Sequence, residues 1–204
     1  MTRYARDYFA KLKATIDLMD FAEIDNCVGV IERAWREGRQ ILTLGNGGSA
    51  MTAIHYITDW SKMISNQNDK PFYGRTLLDN IGMLTAYAND VSYADIFSEQ
   101  LKHTATKGDV VIAISGSGNS ENVVRAVRLA NAMGCETIGL CGFNGGQLRQ
   151  LAKHTIWVDI DDMQICEDLH AIFGHIVMQR LCGGITDTMP GCRRSLSGAS
   201  TEAK

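Results

Sequence analysis

One stretch constrains the chain more than any other: Asp109-Val110-Val111-Ile112-Ala113-Ile114-Ser115-Gly116-Ser117-Gly118-Asn119-Ser120-Glu121-Asn122. An apolar run with β-branched residues stops abruptly at a small, hydroxyl-rich loop. A helical pattern from Val123 to Met133 follows at once. The order is strand, tight loop, helix. Gly116 and Gly118 carry no Cβ, so the loop can bend sharply. A helix start offers unpaired N–H groups and the positive end of the macrodipole, and Ser115, Ser117 and Ser120 add hydroxyl donors. Such a loop suits an anion, phosphate above all. The same residues also read as a plain strand-to-helix turn capped by Asn119 or Ser120.

The design occurs twice. Arg39 to Leu44 reads as a strand, Gly45-Asn46-Gly47-Gly48-Ser49 as its loop, and Ala50 to about Met63 as the helix that follows. Two helices come first, over 3–19 and from Phe21 to Arg36, with Gly38 as the stop of the second. They form an arm that packs either on its own core or on another subunit. Residues 64–75 are polar, with Pro71 and Gly74, and read as a loop. Leu77 to Ala88 reads as a helix, Asn89-Asp90 as a turn, and Tyr93 to His103 as another helix. Strands are expected at Glu136 to Cys141 and Thr155 to Ile160, with a short helix from Gln147 to Lys153 between them. A long helix runs from about Gln164 to Cys182, and the Gly/Ser/Thr-rich segment 184–204 reads as a frayed tail on a single domain, 1–183. Strands alternating with helices imply an α/β fold with a doubly wound parallel sheet. Ligands in such sheets sit at the C-terminal ends of the strands, where both Gly/Ser loops lie.

Composition narrows the partners. At 204 residues with 45% apolar and 21% charged side chains, the chain is long enough for one real core. Its formal net charge is −3 and it has no basic block, which argues against nucleic acid. No apolar run nears the roughly 20 residues of a membrane span, and no apolar signal core follows Met1. Cytoplasmic residence is expected. The six cysteines form no C-x-x-C pair. All but Cys27 and Cys192 sit inside apolar patterns, as reduced thiols do.

The candidate chemistry lies on two helices. His55 and Asp59 are four apart and share a face. Glu167, His170 and His175 lie on the last long helix. These residue types suit a divalent metal or acid–base work. Each also has an ordinary use, as a hydrogen-bonded structural histidine or a surface ion pair. Glu167 and His175 lie roughly 12 Å apart along a regular helix. Sharing one ion would need an irregular turn or ligands from a neighbouring helix.

The motifs together resemble the sugar isomerase (SIS) family, and within it the phosphoheptose isomerases, over about residues 5–182. The matching stretches are Gly45-Asn46-Gly47-Gly48-Ser49 with His55, Asn89-Asp90 with Tyr93 and Phe97, Ser115-Gly116-Ser117-Gly118-Asn119-Ser120, and Glu167-Asp168-Leu169-His170 with Gly174-His175. The resemblance implies a five-stranded parallel sheet, a homotetramer with active sites between subunits, and movement of a carbonyl from C2 to C1 of a seven-carbon sugar phosphate. It implies a zinc ion held by His55, Asp59, Glu167 and His175, and a phosphate held by Ser49, Ser115, Ser117 and Ser120. Asn46 and Asp90 would contact the sugar, with Gly47, Asn89, Gly116 and Gln164 completing the substrate set. Asp59, Glu167 and His175 would be catalytic.

Two residues depart from the family pattern. The isomerases usually carry Glu at the position of Asp59 and Gln at that of Glu167. Two carboxylates and two neutral histidines would neutralise a divalent ion and weaken its pull on a carbonyl. In the expected reaction Asp59 or Glu167 removes a proton from the carbon next to the carbonyl, a cis-enediol forms, and His175 shuttles the proton. Other readings compatible with the loops are isomerisation of a pentose or hexose phosphate, a non-catalytic phosphosugar-binding scaffold, and a metal-free lyase of a phosphorylated amino sugar.

Overall fold

The computed structural model describes residues 3–183, so the expected tail over 184–204 lies outside the described residues, Cys192 included. In chain order the elements are α1 (Tyr4–Ile16), α2 (Phe21–Arg36), β1 (Ile41–Gly45), α3 (Gly47–Gln67), β2 (Gly74–Thr76), α4 (Ile81–Asp90) and α5 (Ile96–Thr104). Then come β3 (Val110–Ser115), α6 (Glu121–Ala132), β4 (Glu136–Cys141), α7 (Gly146–Leu151), β5 (His154–Trp157) and α8 (Met163–Leu181). The five strands form one parallel sheet in the order β2-β1-β3-β4-β5. That order reverses direction between β1 and β3. The crevice outside their carboxyl ends is the place where such sheets bind ligands.

Alternation along the strands divides the core. Ile41, Val110, Ile112, Ile114, Ile138, Leu140 and Ile156 face α2, α3 and α8. Leu42, Leu44, Val111, Ala113 and Cys141 face α5, α6 and α7. Both faces of β1 and β3 are buried throughout, as a parallel sheet covered on two sides requires. The arm packs on its own chain. Leu12 and Ile16 of α1 lie against Ile165 and Leu169 of α8, and Tyr8 Oη donates to Asp168 Oδ2 at 2.6 Å. Its other face leaves Tyr4, Phe9 and Leu18 exposed. Among the described residues no helix is long and apolar enough to cross a membrane. Cys27, read as lying outside an apolar pattern, is fully buried, and burial pushes its thiol and that of Cys141 up to about 12. Such thiols are inert.

The structure corrects several boundaries. Helix α3 begins at Gly47 rather than Ala50, so Gly47, Gly48 and Ser49 form its first turn and only Asn46 is left between it and β1. It runs on to Gln67 because the buried stripe Tyr56, Trp60, Ile64 continues at four-residue steps. The remaining polar segment contains β2, an edge strand of three residues whose Gly and Arg hide any strand pattern. Asn89-Asp90 ends α4 instead of forming a turn. The helix expected from Tyr93 starts as a 3₁₀ turn, Tyr93–Asp95, capped by Ser92, before α5. Strand β5 stops at Trp157, opposite Cys141, where β4 runs out of ladder.

One crossing positions everything on α3 and α8. The Tyr56 hydroxyl donates to the His170 carbonyl, and Trp60 Nε1 donates to the Gly174 carbonyl at 2.8 Å. The two rings stack with centroids 4.8 Å apart. A Cβ on Gly174 would meet the Tyr56 ring at 2.2 Å, so only glycine permits this approach. His170 is itself 1% exposed, with neither ring nitrogen hydrogen-bonded. Burial pushes it down to about 4.

Two outcomes follow from this contact. Gly174→Ala should lower stability by about 1–3 kcal/mol through overpacking, read as the urea midpoint at constant slope. The unfolded chain binds a proton at His170 below about 6.5 and the folded chain does not until about 4. Stability at this residue is therefore complete above pH 6.5 and falls by about 1.4 kcal/mol per pH unit as pH drops toward 4. Urea titrations at several pH values should lose that slope in His170→Phe.

Candidate active site

The two loops after β1 and β3 are tied together. Asn46 Nδ2 donates to Asn122 Oδ1, and Asn122 Nδ2 donates to Asn46 Oδ1, both at 2.9 Å. Tyr93 Oη donates to Asn46 Oδ1 at 3.0 Å. The second loop is held from below by the chain after β4. Gly142 N donates to Gly116 O at 2.7 Å and Leu148 N to Gly118 O at 2.9 Å. Gly118 has φ +66°, and a Cβ there would lie 2.0 Å from the Gly145 carbonyl oxygen. No other residue type fits that turn.

Between the loops lies a cleft of about 170 Å³ lined by Asn46, Ser49, Ile114, Ser115, Gly116, Ser117, Ser120, Met163 and Glu167. The starts of α3 and α6 adjoin it, and Ser115 Oγ donates to Ser120 Oγ at 3.2 Å. Ser120 is the N-cap of α6, yet its side chain makes no capping bond. Its hydroxyl is left to the cleft. Among the described residues no lysine or arginine lines this cleft, and the groups it offers an anion are helix N–H groups and hydroxyls. The negative side chain present is Glu167, whose carboxylate rests against Gly48. A Cβ at that glycine would lie 2.3 Å from Oε1.

A second group stands further along α8. His55 Nε2 lies 3.1 Å from His175 Nε2 and 3.2 Å from Asp59 Oδ2, and His175 Nε2 lies 3.9 Å from the same oxygen. A tetrahedral ion with bonds of about 2.0–2.1 Å sets its ligand atoms roughly 3.3 Å apart, so the three donors fit one divalent ion. They can hold it with a position left open. Tyr56 and Trp60, buried neighbours in sequence of His55 and Asp59, fix the face of α3 that carries them. Gly174 precedes His175. The side chains of the two histidines are half exposed and that of Asp59 is 30% exposed.

The expected residues thus divide. Asn46, Ser49, Ser115, Gly116, Ser117 and Ser120 share the cleft, and His55, Asp59 and His175 share the donor cluster. Glu167, expected with the ligands, joins the cleft instead. Helix α8 is continuous across the eight residues that part it from His175, a rise of roughly 12 Å. Gly47, Asn89, Asp90 and Gln164 do not line the cleft; Asn89 and Asp90 are exposed at the end of α4, where Asn89 Nδ2 donates to Asp90 Oδ1 at 2.7 Å. Asn122, Tyr93 and Met163 hold or line the site and went unassigned. The available signal for Asn122 was an amide in the first turn of α6 that is buried, a costly choice without a partner. Met163 gave no signal.

The SIS-domain family profile matches residues 4–142, and the chain belongs to that family. Within it the chain is closely related to the phosphoheptose isomerases. It is 36% identical over 157 residues to the probable phosphoheptose isomerase of Thermoplasma acidophilum, covering 76% of this chain and 86% of that one. It is 34% identical over 157 residues to the phosphoheptose isomerase of Aquifex aeolicus, covering 77% and 82%. Among solved structures, the phosphoheptose isomerase of Francisella tularensis superposes with a TM-score of 0.81 at 23% identity, covering 89% of this chain and 98% of that one.

The donor cluster makes a direct prediction. Cobalt(II), added to the metal-free protein, should bind at one equivalent per chain with visible absorption bands of a four- or five-coordinate ion. Asp59→Asn and His175→Ala should each weaken binding at least about tenfold, measured by calorimetry.

Proposed function

We propose that the protein is an aldose–ketose isomerase that converts sedoheptulose 7-phosphate to D-glycero-D-manno-heptose 7-phosphate. The observation that carries this reading is its relation to phosphoheptose isomerases over most of both chains. The geometry supports it with a cleft between two helix starts and a separate cluster of two histidines and a carboxylate. The ion implied for the site is zinc, which His55, Asp59 and His175 would hold. When bound, such an ion polarises a carbonyl and favours the charge of an enediolate.

The protein's own groups do the rest. Ser49, Ser115, Ser117 and Ser120, with the N–H groups at the starts of α3 and α6, hold the phosphate. Anchoring the distal phosphate turns remote binding into orientation of the reacting carbons. Asn46 and Gly116, which line the cleft, complete the contacts to the sugar. Asp59 is the base that takes the proton from the carbon beside the carbonyl, because Glu167 lies in the cleft whereas Asp59 stands beside His55 and His175. Its Oδ2 faces the two imidazoles, which leaves Oδ1 for the substrate. His175 moves the proton between the oxygens.

Glu167 and the triad belong to one site only if copies of the chain assemble. In the homotetramer we propose, Glu167 and the cleft of one copy meet the triad of another, where Glu167 completes the ligand set. The exposed Tyr4, Phe9, Leu18 and Phe21 supply apolar surface for that assembly. The domain comprises 1–183, and the enzyme works in the cytoplasm.

The test is turnover of sedoheptulose 7-phosphate by zinc-loaded protein, followed by NMR of the aldose. Asp59→Asn should reduce kcat about 10²- to 10⁴-fold, while Glu167→Gln, which restores the family's amide, should stay within about tenfold. No turnover of this or any other phosphosugar would overturn the assignment. Loss in Glu167→Gln with activity kept in Asp59→Asn would move the base to Glu167.

A further inference from the structure

Gly48 occupies the second position of α3, where a helix gains from any other common residue. Glycine is the weakest helix former after proline. Its backbone does not require glycine: the left-handed angle in this turn belongs to Gly47, at φ +54°, and Gly48 lies outside that region. It is also exposed, so it is not kept small by core packing. What fills the space is Glu167. A Cβ on Gly48 would meet Oε1 at 2.3 Å, Cδ at 2.8 Å and Oε2 at 3.0 Å, and meets no other residue's atoms more closely. All three atoms of the carboxyl group therefore lie over this one Cα.

We infer that Gly48 is a positioning residue: its missing side chain is the seat of the Glu167 carboxylate and fixes where that group stands in the sugar cleft. This deepens the reading above and rests on it for the role of Glu167. The seat works in one direction. Glu167 springs from α8 as a flexible side chain with a charged end, whereas the Cα of residue 48 is fixed by the first turn of α3. A methyl group at 48 therefore moves the carboxylate rather than the helix. The displacement is of the order of 1 Å, enough to cost up to about 10²-fold where a contact must be placed accurately. The backbone N–H of residue 48 survives, so the anion-holding capacity of the helix start is untouched.

The consequence is a residue whose replacement raises stability and lowers function. Gly48→Ala should leave Tm equal to or above that of the unaltered protein, and raise KM for the phosphosugar about tenfold or lower kcat by as much. A loss of structure moves Tm the other way. In a double-mutant cycle, Gly48→Ala added to Glu167→Ala should cost less than about twofold, since no carboxylate remains to be displaced. A crystal structure of Gly48→Ala should show the Glu167 carboxylate moved off residue 48. An equal cost of Gly48→Ala in both backgrounds, or a carboxylate that stays in place, overturns the seat. Full activity in Glu167→Ala instead overturns the part given to Glu167 in the reaction. Absence of turnover in the unaltered protein overturns the isomerase reading, and the crystal structure then still decides the seat.

Discussion

The crossing of α3 over α8 is the contact on which the remaining features depend. Tyr56 and Trp60 bond to main-chain carbonyls one helical turn apart, at His170 and Gly174. They are themselves four apart on α3. The two helices are thus held in register as well as in contact. His55 and Asp59 each precede one of those rings, and His175 follows Gly174, so a ladder buried in the core places three donors at the surface. Buried hydrogen bonds from an indole and a phenol are costly to leave unmade. That cost favours this register over a slide by one turn, which would part the donors.

The second organising feature is the reversal of strand order between β1 and β3. It opens a crevice that two helix starts can share. Parallel strands set the two loops side by side, through the pairs Leu44–Ala113 and Gly45–Ile114 at their ends. The reciprocal amide pair of Asn46 and Asn122 then joins them. Chemistry and anchoring are separated along α8, with Glu167 near its start and His175 two turns on. In the proposed assembly a second copy bridges that spacing.

Much of this was legible in the residues, for identifiable reasons. Strands β1, β3 and β4 are buried on both faces, so each reads as a continuous apolar run that ends in Gly or Ser. Helix α2 carries a strong apolar stripe and a glycine stop, and its bounds were read without error. The strand–loop–helix unit around Ser115 to Ser120 was legible because an apolar run gives way to glycine and hydroxyls directly before a helix. Strand β2 was hidden because an edge strand of three residues needs no pattern. The first turn of α3 was hidden because Gly47 and Gly48 look like loop; Gly47 has a left-handed backbone angle, and the space beside Gly48 is taken by a carboxylate from a helix more than a hundred residues away. The division of Glu167 from His175 was foreshadowed by helix rise alone. The pairing of His55 and Asp59 with His175 comes from a tertiary crossing that spacing along either helix does not encode.

In the proposed assembly the anion cleft of one copy and the donor triad of another serve a single substrate. A crystal of zinc-loaded protein soaked with sedoheptulose 7-phosphate, with anomalous data at the zinc edge, measures it directly. One ion is expected among His55, Asp59 and His175 of one copy, with the phosphate on Ser115 to Ser120 and Glu167 of a neighbouring copy in the same pocket. A zinc peak elsewhere, or a phosphate bound away from these serines, would contradict it.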